Sequence, residues 1–173
     1  MKVIELRRHA ARVKDADALS PEGRAQAEEV GRSLPIDYAV VFVSPAMRTA
    51  ETVAHFLRGS GQPLPRHAVV RGLASEAEDR WRSAAKAAGS SRIDAVMAAD
   101  PALVTAEAER LGRALEELFD QVPEGQRALA VGHSPLIEAA VYGLTRVIVD
   151  PLSECQGLTI TQDDSRVYRI GEQ

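Results

Sequence analysis

Apolar residues follow two patterns along this chain, and the two alternate. Short runs occur at Val3, Ile4 and Leu6, at 38–43 and at 128–131. These have the length of strands, and the unbroken 38–43 run is typical of a strand buried on both faces. Between the runs, apolar residues recur every three or four positions. Ala27, Val30 and Leu34 form one such stripe, and Ala50, Val53, Ala54 and Leu57 form another. Leu111, Leu115, Leu118, Phe119 and Val122 form a third. Each stripe predicts a helix with one buried face.

Helix starts and stops fit this reading. Ser20-Pro21-Glu22 supplies an N-cap, a first-turn proline and a carboxylate at the positive end of the helix dipole. Ser44-Pro45 and Ser134-Pro135 repeat the cap-plus-proline signal. Pro35 stops the first helix, Gly59 and Gly61 the second, and the Ser134 helix closes near Gly143. A polar loop precedes the first helix at 11–17, and Gln62-Pro63-Leu64-Pro65 is a further loop before a weak strand at 68–70. From Leu73 to Val122 the pattern is helical, with Ser75 and Glu78 as a capping box. Breaks fall at Gly89-Ser90-Ser91, with Ser91 capping a short helix through Ala98, and at Asp100-Pro101. Pro123-Glu124-Gly125 is a turn, and 155–161 and 165–170 read as two last strands. The β-α-β-α order implies a mostly parallel sheet with right-handed crossovers. There is no internal repeat or linker, so 1–173 is expected to be one domain. The helical insert at about 74–122 is expected to lie over the strand ends and shape specificity.

Composition narrows the function classes. The 173 residues suit one domain with a sizeable core. Hydrophobic residues make up 45% but aromatics only 4%, so the core must be mostly Ala, Val and Leu. The net charge of −4 gives no basic field for nucleic acid. The single Cys155 rules out an internal disulfide. No signal peptide or spanning run is evident, which makes a cytoplasmic protein with no membrane partner the expectation.

Three strand ends carry similar equipment. The first run ends in Arg8-His9, the second leads through Ser44-Pro45 to Arg48, and the third runs into Gly132-His133-Ser134-Pro135. In a parallel sheet these ends share one edge, where open α/β sheets place their ligands. Arginine offers a planar fork of donors suited to phosphate. Histidine near neutral pH serves as nucleophile and proton carrier. A metal at His9 and His133 is disfavoured, because their motif partners are arginines rather than carboxylates or thiolates. Alternation along the first strand points Arg7 away from Arg8.

Four segments resemble the histidine phosphatase superfamily, which includes the phosphoglycerate mutases. Leu6-Arg7-Arg8-His9-Ala10 resembles its Arg-His-Gly signature, with Ala10 where glycine is usual. Leu19-Ser20-Pro21-Glu22-Gly23-Arg24-Ala25-Gln26-Ala27 is similar to its Leu-Thr-x-x-Gly-x-x-Gln-Ala segment. Ser44-Pro45-Ala46-Met47-Arg48-Thr49-Ala50-Glu51-Thr52 and Val131-Gly132-His133-Ser134-Pro135 resemble the two remaining motifs, in family order. The resemblance implies a phosphoglycerate mutase-like three-layer α/β/α sandwich. It implies a phosphatase in which His9 becomes phosphorylated, Arg8 and Arg48 bind the phosphoryl oxygens and His133 completes the pocket. It implies no cofactor and no metal.

The family places a carboxylate proton donor shortly after the third strand. Glu76 fits that position best, with Glu78 and Asp79 as rivals. Arg12 is a further candidate for substrate contact, and Trp81 either packs the insert or forms a substrate wall. The expected partner is a phosphorylated small molecule or a phosphoprotein, including phosphohistidine. Two alternatives stand beside the phosphatase: a phosphoglycerate-type mutase, and a non-catalytic phospho-ligand-binding module on the same fold.

Overall fold

A computed structural model describes residues 1–171. Its centre is a six-stranded sheet built from β1 (Lys2–Arg8), β2 (Tyr38–Val43), β3 (Arg66–Val69), β4 (Arg127–Gly132), β5 (Gly157–Gln162) and β6 (Tyr168–Gly171). The strand order is β3-β2-β4-β1-β5-β6. β3, β2, β4 and β1 run parallel, while β5 is antiparallel to β1 and β6 antiparallel to β5. The order sets β4 between β1 and β2, so the three strand ends named above are immediate neighbours.

Alternation along the strands gives each face its own core. Val41, Val43, Leu129 and Val131 face α1 (Pro21–Gly31) and α2 (Met47–Ser60). Ile4, Leu6, Val40, Phe42, Ala128 and Ala130 face the opposite layer. That layer comprises α3 (Glu78–Ala88), α4 (Ile93–Ala99), α5 (Pro101–Gln121) and α6 (Leu136–Thr145). The result is a three-layer α/β/α sandwich. Residues of the expected insert are part of its wall: Leu103, Val104, Leu111, Leu115, Leu118 and Phe119 of α5 lie in the core. Among the described residues, no helix is long and apolar enough to cross a membrane.

Two glycines read as helix stops have another role. Gly59 lies inside α2, and a Cβ there would meet the Glu28 carbonyl oxygen at 2.0 Å. Gly143 lies inside α6, where a Cβ would meet the Ala108 carbonyl oxygen at 1.8 Å. Both permit close helix packing, α2 on α1 and α6 on α5. The second helix ends instead at Gly61, in the left-handed region at φ 73°.

Ser20 caps α1 as expected, its Oγ accepting from Gly23 N at 3.0 Å. The other serine caps differ. Ala46, Ala77, Arg92 and Pro135 stand at the N-caps of α2, α3, α4 and α6, none with a side-chain cap bond. Ser75 donates to Glu107 Oε2 at 2.5 Å, so the Ser75–Glu78 capping box does not form. The hydroxyls of Ser44, Ser75 and Ser134 are taken by partners distant in sequence or on the next turn, which local pattern does not register.

Candidate active site

The site grows from the carboxyl ends of β1, β4 and β2. Arg8 sits opposite Gly132 in the β1–β4 register, and His9 N donates to the Gly132 carbonyl at 3.0 Å. On the other side of β4, Ser44 N donates to the Val131 carbonyl at 3.3 Å. Ala10 is buried and its N–H donates to Thr52 Oγ1 at 3.0 Å, which ties the turn after β1 to α2. The rings of His9 and His133 thereby meet edge to face, with centroids 5.3 Å apart.

Hydrogen bonds fix both tautomers. His9 Nδ1 lies 2.7 Å from the Ala10 carbonyl oxygen. A carbonyl only accepts, so Nδ1 carries the proton and the lone pair rests on Nε2. His133 is the mirror case. Arg48 Nη2 donates to His133 Nδ1 at 3.1 Å, and arginine only donates. The His133 proton therefore sits on Nε2 and is donated to Ser44 Oγ at 2.6 Å. Ser44 Oγ lies 3.2 Å from Thr49 Oγ1, which in turn donates to the Ala46 carbonyl at 2.7 Å.

Both rings are held neutral. Burial, then the Arg48, Arg8 and Arg12 cations, bring the His9 pKa down to about 4, against the backbone bond to Ala10. Burial, Arg48 and His9 bring His133 down to about 3. A neutral imidazole is the form with a lone pair to offer.

Each arginine is anchored on one side. Arg8 Nη1 donates to the Leu152 carbonyl at 2.7 Å, and its Nη2 lies 3.9 Å from Glu154. Arg48 Nη1 donates to Asp17 Oδ1 at 2.8 Å. Asp17 also accepts from the backbone N–H of Met47 at 2.8 Å and of Arg48 at 3.2 Å. It thus caps α2 from a distance, in the place expected of Ser44. The Nε atoms of Arg8 and Arg48 are buried without a hydrogen-bond partner among the described residues. Unpaired buried donors are costly, and an anion with several acceptor oxygens relieves that cost.

Arg8, His9, Arg48 and His133 line a cleft of about 410 Å³ together with Arg12, Trp81, Arg82, Glu78 and Glu154. A groove of about 1120 Å³ lies elsewhere, along 147–158 and Glu5, Arg7 and Arg92, and contains neither His9 nor His133. Arg7 belongs to that side, bonded to Glu5 Oε1 at 2.5 Å and to the Cys155 carbonyl at 2.7 Å. No group of three or more His, Cys, Asp or Glu among the described residues is placed to hold a metal ion.

Of the residues singled out from the sequence, Arg8, His9, Arg12, Arg48 and His133 come together in the cleft. Glu76 does not line the cleft, whereas Glu78, equally exposed, stands at its rim. Ser75 and Arg110 explain why. Ser75 Oγ accepts from Ala77 N at 3.0 Å, and Arg110 Nη2 donates to the Ala74 carbonyl at 2.7 Å. This pins the approach so that α3 begins at Glu78. Glu78, Trp81, Arg82 and Ala85, at helical spacing, then line the cleft. Trp81 both packs and lines, being 2% exposed. Asp17, Ser44 and Glu154 are site residues that the sequence reading did not assign. Asp17 carried no local signal, and Ser44 was read as a cap.

Comparison with known proteins bears on the fold and the family. No curated protein matches the chain. A phosphoglycerate mutase from Bacillus anthracis str. Sterne is similar in structure at 19% identity, with a TM-score of 0.73, covering 99% of this chain and 93% of that one. A phosphoserine phosphatase from Entamoeba histolytica, in complex with 3-phosphoglyceric acid, is similar at 16% identity and a TM-score of 0.65, covering 94% and 91%. The protein histidine phosphatase SixA, complexed with tungstate, is similar at 18% identity and a TM-score of 0.59, covering 98% and 94%. At these identities the likeness is one of fold. Residues 5–161 match the histidine phosphatase superfamily (branch 1), and the chain belongs to that superfamily.

Proposed function

We propose that the protein is a metal-independent phosphatase that works through a phosphohistidine on His9. The observation that carries this reading is the His9 tautomer: Nδ1–H is committed to the Ala10 carbonyl, which leaves the Nε2 lone pair to attack. In the first step an Nε2–P bond forms as the P–O bond to the leaving group breaks. Arg8 and Arg48 hold the phosphoryl oxygens and offset the charge that spreads over them. His133 keeps Arg48 in place through Nδ1. Glu78 at the rim gives its proton to the departing alkoxide. In the second step Glu78 takes a proton from water, whose oxygen attacks phosphorus and releases phosphate and free His9.

The cleft rim combines Arg12, Arg82 and the Trp81 ring with the carboxylates of Glu78 and Glu154. This suits a phosphorylated small molecule or a phosphoprotein side chain. Structural neighbours that are phosphatases of phosphoserine and of protein phosphohistidine support phosphoryl transfer to water.

The test is rapid acid-free quenching of enzyme mixed with p-nitrophenyl phosphate, followed by detection of an acid-labile, base-stable phosphoprotein. Wild type should form it and release free phosphate; His9→Ala should do neither. Turnover retained by His9→Ala would overturn the reading. Transfer to a phosphoglycerate in place of phosphate release would make the enzyme a mutase.

A further inference from the structure

Glu138 is a buried carboxylate that the proposed chemistry does not use. It lies in the first turn of α6 and is 1% exposed. Its Oε1 accepts two hydrogen bonds, from Ser134 Oγ at 2.6 Å and from the backbone N–H of Leu152 at 2.8 Å. Its Oε2 is buried with no partner among the described residues. A carboxyl group in this setting is destabilising in itself, and burial pushes its pKa up despite the two bonds and the nearby Arg8 cation. An apolar residue would suit the α6 core better, so the carboxylate needs another explanation.

Leu152 supplies it. The residue that gives its N–H to Glu138 also gives its carbonyl to Arg8 Nη1, at 2.7 Å. Leu152 lies in the segment 146–156, which has no helix or strand of its own. Such a segment holds a carbonyl in a fixed place only if something fixes the segment. Glu138 does so from a rigid helix, and α6 is itself tied to the site by Ile137 N donating to the His133 carbonyl at 2.9 Å.

We propose that Glu138 is a positioning residue for phosphate binding: through Leu152 it sets the Arg8 guanidinium, and so couples α6 and the 146–156 segment to the catalytic cleft. This rests on the reading of Arg8 as a phosphate-binding group. Glu138 does not touch substrate. It fixes the Nη1 side of the Arg8 fork, while Nε has no hydrogen-bond partner among the described residues, and a donor displaced by about 1 Å loses much of its value in the transition state.

The experiment is a double-mutant cycle read by calorimetric binding of inorganic phosphate and by kcat and KM for p-nitrophenyl phosphate. Arg8→Ala should weaken phosphate binding on the order of 10- to 100-fold, as expected for loss of a charge-assisted donor. Glu138→Leu, which keeps the core filled, should weaken it roughly tenfold and raise KM with it. Glu138→Gln retains an acceptor at Oε1 and should bind within about threefold of wild type. In the Arg8→Ala background, Glu138→Leu should add nothing, because the group it positions is gone. Additive losses in the double variant, or equal losses from Glu138→Gln and Glu138→Leu, would overturn the proposal. Unchanged phosphate binding in Arg8→Ala would instead overturn the reading of the cleft. If Glu138→Leu does not fold, the same cycle is run with Glu138→Met, which also lacks the acceptor and keeps the core filled, and additive losses there would overturn the proposal.

Discussion

Lowering the pH should loosen this fold well before its carboxylates protonate, because two buried histidines are held neutral. The folded values are about 4 for His9 and about 3 for His133, against 6.5 when unperturbed. Below pH 6.5 the unfolded chain takes up a proton at each ring and the folded chain does not. Stability is then fully present above 6.5 and is lost as pH falls toward the folded values, by about 1.4 kcal/mol per pH unit for each ring. Between pH 7 and pH 5 this amounts to about 2 kcal/mol per histidine and about 4 kcal/mol for the pair. That is a large part of the roughly 5–15 kcal/mol that holds a typical domain together. Glu138 works in the opposite direction, since its raised pKa makes the folded chain the better proton acceptor at that site. Comparing wild type with His9→Gln removes that contribution, which both share. Urea unfolding at pH 7, 6 and 5 is the measurement. The wild type should lose about 2 kcal/mol more than His9→Gln over this range. Parallel stability curves would show that His9 is not held neutral by burial and the arginines, and the argument for a ready lone pair would fall with it.

Four further outcomes are expected. Asp17→Asn removes the charge that anchors Arg48 Nη1 and weakens the cap on α2. It should cost about 1 kcal/mol in chemical denaturation and lower kcat/KM by roughly tenfold; an effect on stability alone would separate the cap from the anchor. Glu78→Gln should slow hydrolysis of alkyl phosphates by about 10²-fold but change p-nitrophenyl phosphate turnover little, since an activated leaving group needs no proton. Glu76→Gln should leave both substrates unaffected, and the reverse pattern in steady-state assays would return the acid role to Glu76. EDTA should leave turnover unchanged, and loss of activity restored by a divalent cation would point to a metal.

Local pattern was enough for the elements themselves. Unbroken apolar runs marked the β2 and β4 strands, and the i, i+3, i+4, i+7 stripe of Ala50, Val53, Ala54 and Leu57 marked α2. Arg8, His9, Arg48 and His133 were legible because each ends a strand, directly follows one or opens a helix. Strand ends of a parallel sheet share an edge, so position along the chain already implied proximity in space. The edge strand β3 was legible only weakly, having little apolar side chain to bury.

What the chain alone did not decide depends on which groups meet across long sequence separations. Ser44, Ser75 and Ser134 have the local appearance of helix caps, but each hydroxyl bonds another side chain: His133 and Glu107, which packing brings to Ser44 and Ser75, and Glu138, one turn on from Ser134. Asp17, from a polar loop, became the cap of α2 and the anchor of Arg48. The choice between Glu76 and Glu78 turned on where α3 begins, which Arg110 and Glu107 of α5 fix from another element. Sequence therefore determined the strands, the helices and the histidine–arginine set, since hydrophobic period and strand-end position are local properties. Tertiary structure decided the tautomers, the anchors and the carboxylate at the rim, because a hydrogen bond goes to whichever partner the packed layers bring within about 3 Å.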